Sequence, residues 1–333
     1  MPSSSFRRLC LLGALLALCV IVLGAWVRLS HAGLGCPDWP GCYGHLTAGG
    51  AVENAAVANA AHPERPLEAD KAFKEMVHRY FASALGLLVV LAAVLAFRNR
   101  RDPAQPVRLP AVLVLLVVFQ GLLGMWTVTL LLKPLIVSAH LVGGLTTMSL
   151  LWWLSFDVRP GERPVAERGL RTWALVGLVA LSLQIMLGGW VSTNYSAMAC
   201  PDFPTCQASF WPDMDFKDAF VLWRGLGIDY EGGVLEHPAR VAIHFTHRIG
   251  AVVAAFVLGY VSWLAFRAGQ SRAVRTTGGI VGAVLVTQLV VGPLMVMKTF
   301  PLWLATAHNA VAALLLLSVV ALVRFVWPPL RKS

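Results

Sequence analysis

The chain has 333 residues, of which 57% are hydrophobic and 13% charged, with a mean hydropathy of +0.69. A soluble domain carries roughly twice that share of charge, so a water-soluble globule is excluded. The formal charge of +10 does not signal nucleic acid, because the basic residues gather at the termini and in short loops. An all-α membrane protein is expected. About 20 apolar residues cross a bilayer, and the short alternating segments of a β-barrel do not occur.

Eight apolar stretches lie in order at 9–27, 72–97, 109–129, 135–156, 170–191, 240–266, 276–297 and 302–325. Basic clusters around Arg7, Arg100, Arg163, Arg272 and Arg331 flank the termini and the short loops after even-numbered spans. Acidic residues concentrate in two long loops, 28–71 and 192–239. The positive-inside rule then puts both termini in the cytoplasm and both long loops outside. A bacterial inner (plasma) membrane is expected, since no long Arg- and Ser-rich presequence is visible. Arg7 and Arg8 before an apolar run resemble a signal peptide. However, the run ends Leu23-Gly24-Ala25-Trp26-Val27, and the fifth span ends Leu187-Gly188-Gly189-Trp190-Val191, so the first span reads as a permanent helix. Cys10 and Cys19 within it read as small apolar residues.

The first long loop carries Cys36-Pro37-Asp38-Trp39-Pro40-Gly41-Cys42. Outside a membrane, where disulfides persist, this reads as a small closed ring, either a structural clip or a reducible pair. The spacing does not fit the usual zinc pattern. His31, His45 and His62 read as solvated loop residues, and 44–70 shows no motif.

The second span opens with Glu75-Met76-Val77-His78-Arg79. A charge inside a membrane helix costs roughly 2.5 to 3.5 kcal/mol even on the lenient scale, so such a cluster calls for a function. His78 lies about 9 Å below the start of its span, and His140 about 8 Å below the start of the fourth, at 1.5 Å per residue. Two imidazoles at one depth in one bundle suit the two axial positions of a haem iron. Glu75 faces the same way as His78. It is either a favourable acid in a first helical turn or a carboxylate that moves a proton or stabilises positive charge beside a macrocycle. Arg79 can pair with a haem propionate or answer Glu75.

The second half repeats these landmarks. Trp26 and Trp190 are 164 residues apart, as are Cys36 and Cys200; His78 and His247 are 169 apart; His140 and His308, like Gln120 and Gln288, are 168 apart. The chain therefore reads as two pseudo-symmetric four-helix bundles, 1–158 and 159–333, related by an axis along the membrane normal. Cys200 and Cys206 enclose the twin ring, and the aromatic tail from Gln207 to Pro238 reads as a loop lying on the membrane. His247 and His308 repeat the depth match as a second haem site. Gln120-x3-Gly124, Gln184-x3-Gly188 and Gln288-x3-Gly292 read as helix packing. Glu75 has His244 as its twin, which reads as a propionate or water contact. This asymmetry puts chemistry in the first half and electron transfer in the second.

Together, Glu75-x-x-His78-Arg79, Cys36-Pro37-Asp38-Trp39-Pro40, His140, His244-x-x-His247-Arg248 and His308 resemble the haem A synthase family over essentially the whole chain. The resemblance implies oxidation of the methyl on ring carbon 8 of haem O to a formyl through successive hydroxylations, for haem-copper oxidase biogenesis. It makes His78 and His140 the ligands of the substrate haem, with Arg79 beside them. It makes His247 and His308 the ligands of a haem b cofactor, flanked by His244 and Arg248, and Glu75 the catalytic carboxylate. Cys36 and Cys42 match a pair that some members have. The implied partners are haem O, membrane lipid, haem O synthase and oxidase assembly factors, with a homo-oligomer as an option. A dihaem b-type electron carrier and a non-enzymatic haem carrier are the rival readings. The histidine pairs fit the electron carrier equally, but the lone Glu75 and the cysteine rings do not; a stable, non-exchanging haem in one half would count against the haem carrier.

Overall fold

A computed structural model describes residues 3–156, 168–267 and 271–327. The expected bundle boundary at 158/159 and the basic residues Arg159, Arg163, Arg331 and Lys332 lie outside the described residues. Among those residues the regular structure is helical, with isolated bridges at Cys42–His45 and Cys206–Ser209 and no strand. Eight helices are long and apolar enough to cross a membrane: α1 (Ser4–Leu29), α4 (Ala69–Arg98), α5 (Arg108–Thr129), α6 (Pro134–Ser155), α7 (Arg168–Thr193), α9 (His237–Arg267), α10 (Arg272–Met297) and α11 (Leu302–Val326). Three short helices, α2 (Ala48–Glu53), α3 (Ala55–Ala61) and α8 (Phe216–Ala219), lie in the long loops. Within the motif-free stretch 44–70, the alanine-rich run forms α2 and α3.

Local chemistry sets the ends. Ser3 caps α1 by accepting from the Phe6 N–H, and Ser271 caps α10 by accepting from Val274. Pro134 occupies the first turn of α6, where its missing N–H costs nothing. All four odd-numbered spans end in one motif, a backbone N–H reaching back five residues. The bonds are Ala32 to Val27, Leu132 to Thr127, Ser196 to Val191 and Phe300 to Met295. The left-handed residues just before these donors, His31, Leu131, Tyr195 and Thr299, are all non-glycine. The motif turns the chain sharply, so even spans start beside the ends of odd ones.

α1 packs on α4 and α6, and α5 on the same two; α7 packs on α9 and α11, and α10 on those two. Contacts of α11 with α1 and α6, and of α6 with α7, join these groups. The main core runs through the seam, from Phe6, Cys10 and Ala14 of α1 to Leu315, Leu322 and Val326 of α11. Small residues permit close approach between α9 and α10, where a methyl on Gly278 would lie 2.6 Å from Cβ of Ala265. Large apolar side chains such as Leu115, Val179 and Phe256 point outward, as lipid contact demands.

The long loops share one end of the bundle and are tied across it. Arg65 pairs with Asp229 at 2.6 Å and Glu231 at 3.2 Å. Arg28 donates to the Ser192 carbonyl at 2.6 Å and lies 4.0 Å over the Tyr195 ring. The buried Lys133 ammonium donates to the Gly225 carbonyl and sits 3.6 Å over the Trp223 ring. His31 is exposed, as expected of a solvated loop residue, and stacks on Tyr195, whereas His62 is half-buried edge-on to Tyr43 and packs within its loop. Phe210 and Trp211 are 75% and 74% exposed, which suits a loop resting on lipid.

Candidate functional site

The site begins with the two cysteine rings. Cys36–Cys42 and Cys200–Cys206 are both disulfides. Each ring is organised by the aspartate two residues after its first cysteine. Asp38 accepts from the N–H groups of Tyr43 at 2.6 Å and Gly44 at 2.7 Å; Asp202 accepts from Gln207 at 2.6 Å and Ala208 at 3.0 Å. The Thr205 hydroxyl and these N–H groups hold Asp202 below the usual carboxylate range.

Each ring rests on the even span that follows it, held by the arginine of the His-Arg pair. Arg79 donates to the carbonyls of Asp38 at 2.9 Å, Pro40 at 3.2 Å and Gly41. Arg248 donates to Cys200 at 3.0 Å, Asp202 at 2.8 Å and Thr205 at 2.7 Å. Gly35 lets the first ring sit directly on α4, since a Cβ there would lie 2.6 Å from the Lys71 carbonyl carbon. The two arginines are therefore engaged by loop backbone, and Arg79 also answers Glu75 at 2.5 Å.

Glu75 is buried, with 5% exposure. Besides Arg79 it accepts from the Cys36 N–H at 2.9 Å, so one carboxylate couples a disulfide ring to the helix that carries His78. Its twin His244, also buried, meets the Ser196 carbonyl at 3.2 Å and the Phe300 ring edge-on. His244 thus ties α9 to the second loop.

The four histidines occupy equivalent settings. Each lies on an even span with Cε1 turned to a glycine of the preceding odd span. A methyl added to Gly24, Gly124, Gly188 or Gly292 would lie 3.0, 3.6, 3.1 or 3.3 Å from Cε1 of His78, His140, His247 or His308 respectively. All four rings are half-buried. His78 on α4 and His140 on α6 lie on helices that both pack against α1 and α5, and His247 on α9 and His308 on α11 on helices that both pack against α7 and α10. The Nδ1 atoms of His78, His140 and His308 are buried without a hydrogen-bond partner. An unpartnered imidazole nitrogen in a membrane span is costly unless it gains a ligand, so these residues fit paired axial ligation of haem iron. Among the described residues no cluster of three or more His, Cys, Asp or Glu could hold a bare metal ion.

Gln184 and Gln288 were absent from the expected site. Gln184 Nε2 lies 3.0 Å from His247 Nδ1 and donates to the His247 carbonyl at 3.0 Å; Gln288 Nε2 lies 3.2 Å from His308 Nε2. Their Gln-x3-Gly spacing was the available signal, because it puts carboxamide and glycine notch on one helix face.

The chain has relatives that match it along most of its length. A profile of the family described as cytochrome oxidase assembly protein matches residues 7–320. A protein named heme A synthase from Shewanella oneidensis is 43% identical over 93% of each chain. Proteins of the same name from Caulobacter vibrioides and Halalkalibacterium halodurans are 27% and 24% identical, over 91% and 89% of this chain and 90% and 88% of theirs. Eight apolar helices and this kinship make the protein an integral membrane protein, and the chain belongs to the cytochrome oxidase assembly protein family that includes these haem A synthases.

Proposed function

We propose that this protein is a haem A synthase, an oxidoreductase that converts the methyl on ring carbon 8 of haem O to a formyl through successive hydroxylations. The observation that carries the reading is four half-buried histidines set in matching glycine notches, with a buried carboxylate one helical turn before His78 and His244 at the matching place in the second half. Forty-three per cent identity to a protein of that name along nearly the whole chain supports it.

In this reading His78 and His140 hold the substrate haem, and His247 and His308 hold haem b. When bound, haem b supplies one-electron transfer to or from the substrate site. Glu75 is one helical turn from His78, and its two oxygens are the atoms that hold or move a proton. The Cys36 N–H and Arg79 fix the carboxylate, and the disulfide ring above it limits water. Arg79 and Arg248 serve the macrocycles by setting the rings over each site. Haem O enters from the bilayer, which dissolves its farnesyl tail.

The repeated rings, helix ends and glycine notches support a duplicated four-helix unit with halves at 1–158 and 159–333. The loop charges support cytoplasmic termini, with both rings on the outer side of a bacterial plasma membrane. Haem O synthase and oxidase assembly factors are the partners this activity calls for, the first as supplier of haem O.

The test is expression in a host that makes haem O and no haem A, followed by extraction and mass spectrometry of the pigments. Haem A is expected. Stable haem b with haem O left unmodified would instead make the protein a dihaem electron carrier.

A further inference from the structure

The α5–α6 and α10–α11 turns are built alike and covered differently. Both close with a backbone N–H reaching back five residues, Leu132 to Thr127 and Phe300 to Met295. The first is buried, with Leu132 and Lys133 6% and 2% exposed; the second is bare, with Met297 and Trp303 67% and 69% exposed and Lys298 and Thr299 on the surface. What covers the first turn is the loop of the other half, over residues 223–231. The Tyr230 N–H donates to the Leu131 carbonyl at 3.1 Å, and the buried Tyr230 side chain clusters with Leu34, Val128 and Leu132, against which Ile228 packs. The Lys133 ammonium donates to the Gly225 carbonyl and lies 3.6 Å over the Trp223 ring. Arg65 holds Asp229 and Glu231. This strap therefore touches Leu34 after α1, Arg65 before α4 and the turn between α5 and α6, the segments that lead out of all four helices of the first group. Gly225 and Gly227, at φ +88° and +77°, take the left-handed conformations that bend it over them. Among the described residues no hydrogen bond, ion pair or ring contact ties the first loop to the α10–α11 turn, so the crossing runs one way.

We infer that residues 223–231 seal the loop end of the first site against water, with Lys133 and Trp223 as the positioning residues that latch the strap, while the second site keeps an open turn toward the aqueous phase. The inference rests on the haem reading above and adds a requirement to it: the substrate site is completed by the other half of the chain. Lys133 precedes His140 by seven residues, about 10 Å at 1.5 Å per residue, so the latch stands two turns from a proposed ligand. Lys133 has no carboxylate partner among the described residues. Its buried charge is met by a carbonyl dipole and a ring face, contacts that are strongest where water is excluded. Keeping water from the first site strengthens the charge interactions of Glu75 and suppresses side reactions. A site that passes electrons to or from an outside partner has the opposite need, and a bare turn meets it.

The test reads two quantities on the full chain purified with its haem. Hydrogen–deuterium exchange at 130–133, compared with 298–300, reports opening of the strap. The rate of reduction by dithionite, an anion confined to water, reports access to each haem; a His308→Ala background isolates the first site and a His78→Ala background the second. Lys133→Met keeps the length of the side chain and removes both contacts of the ammonium. Trp223→Ala removes the ring from a half-exposed strap position and serves should Lys133→Met fail to fold. Each is expected to speed exchange at 130–133 roughly tenfold or more, to leave 298–300 at the parental rate, and to speed reduction of the first-site haem while haem b is unchanged. Parental exchange at 130–133 in these variants, a first-site haem still reduced at the parental rate once that turn exchanges freely, or equal acceleration of haem b would each overturn the inference. Retention of haem b by His308→Ala would instead overturn the haem reading on which it rests, and the exchange rates would still decide whether the strap covers the turn.

Discussion

Glu75→Ala is expected to yield a protein that still binds both haems and makes no haem A. The carboxylate touches neither pair of ligands. It is held by Arg79 at 2.5 Å and by the Cys36 N–H at 2.9 Å, so its removal spares His78 and His140. Positioned acid–base groups contribute about a hundred- to ten-thousandfold in rate, and haem A yield per bound haem should fall by at least about a hundredfold. Glu75→Gln separates proton chemistry from architecture: it keeps an acceptor for Cys36 and cannot take a proton, so it should restore the loop and not the product. The check is pigment extraction from each variant in a haem O-producing host. Parental haem A yield from the alanine variant would remove Glu75 from the reaction.

Arg79→Leu should be the most destabilising single change at the rings. The Arg79 and Glu75 side chains are 12% and 7% exposed, and the guanidinium also serves the carbonyls of Asp38, Pro40 and Gly41. Removing one member of a buried ion pair costs about 3 to 5 kcal/mol, because the other charge is left uncompensated. Arg248→Leu strips the second ring of three comparable hydrogen bonds but orphans no carboxylate, so its cost should be smaller. Thermal unfolding ranks the two, and the rate of Cys36–Cys42 reduction by a soluble thiol reports whether the first ring has lifted from α4. Equal losses in the two variants would mean that Glu75 is not held as a charged partner of Arg79.

The fold was largely legible because a membrane span must be apolar throughout its length, and the eight runs found by composition are the eight long helices. The ends were less legible. α4 and α9 begin at Ala69 and His237, three residues before the apolar runs at 72 and 240, because a helix can rise above the membrane on polar residues that hydropathy does not count. The odd-span ends were hidden for another reason. Glycine is the usual mark of a left-handed helix terminus, and here His31, Leu131, Tyr195 and Thr299 take that conformation.

Within the site, spacing singled out the four histidines, Glu75 and both cysteine rings, and the rings are the disulfides that the spacing suggested. The role of Arg79 was open because it depends on where the ring carbonyls fall, a matter of loop conformation. Gln184 and Gln288 read as packing because the sequence cannot show which side chain across a helix interface a carboxamide meets. His62 read as solvated because its partner, Tyr43, is separated from it by a stretch with no motif.

The central claim is that the four imidazoles act as two couples, one for each haem. It is tested most directly by measuring the amount and type of haem retained by His78→Ala and by His308→Ala. The account predicts that the first variant keeps haem b and loses haem O and haem A, and that the second loses haem b and keeps the substrate haem. Loss of both haems from either variant, or of neither, would contradict the pairing.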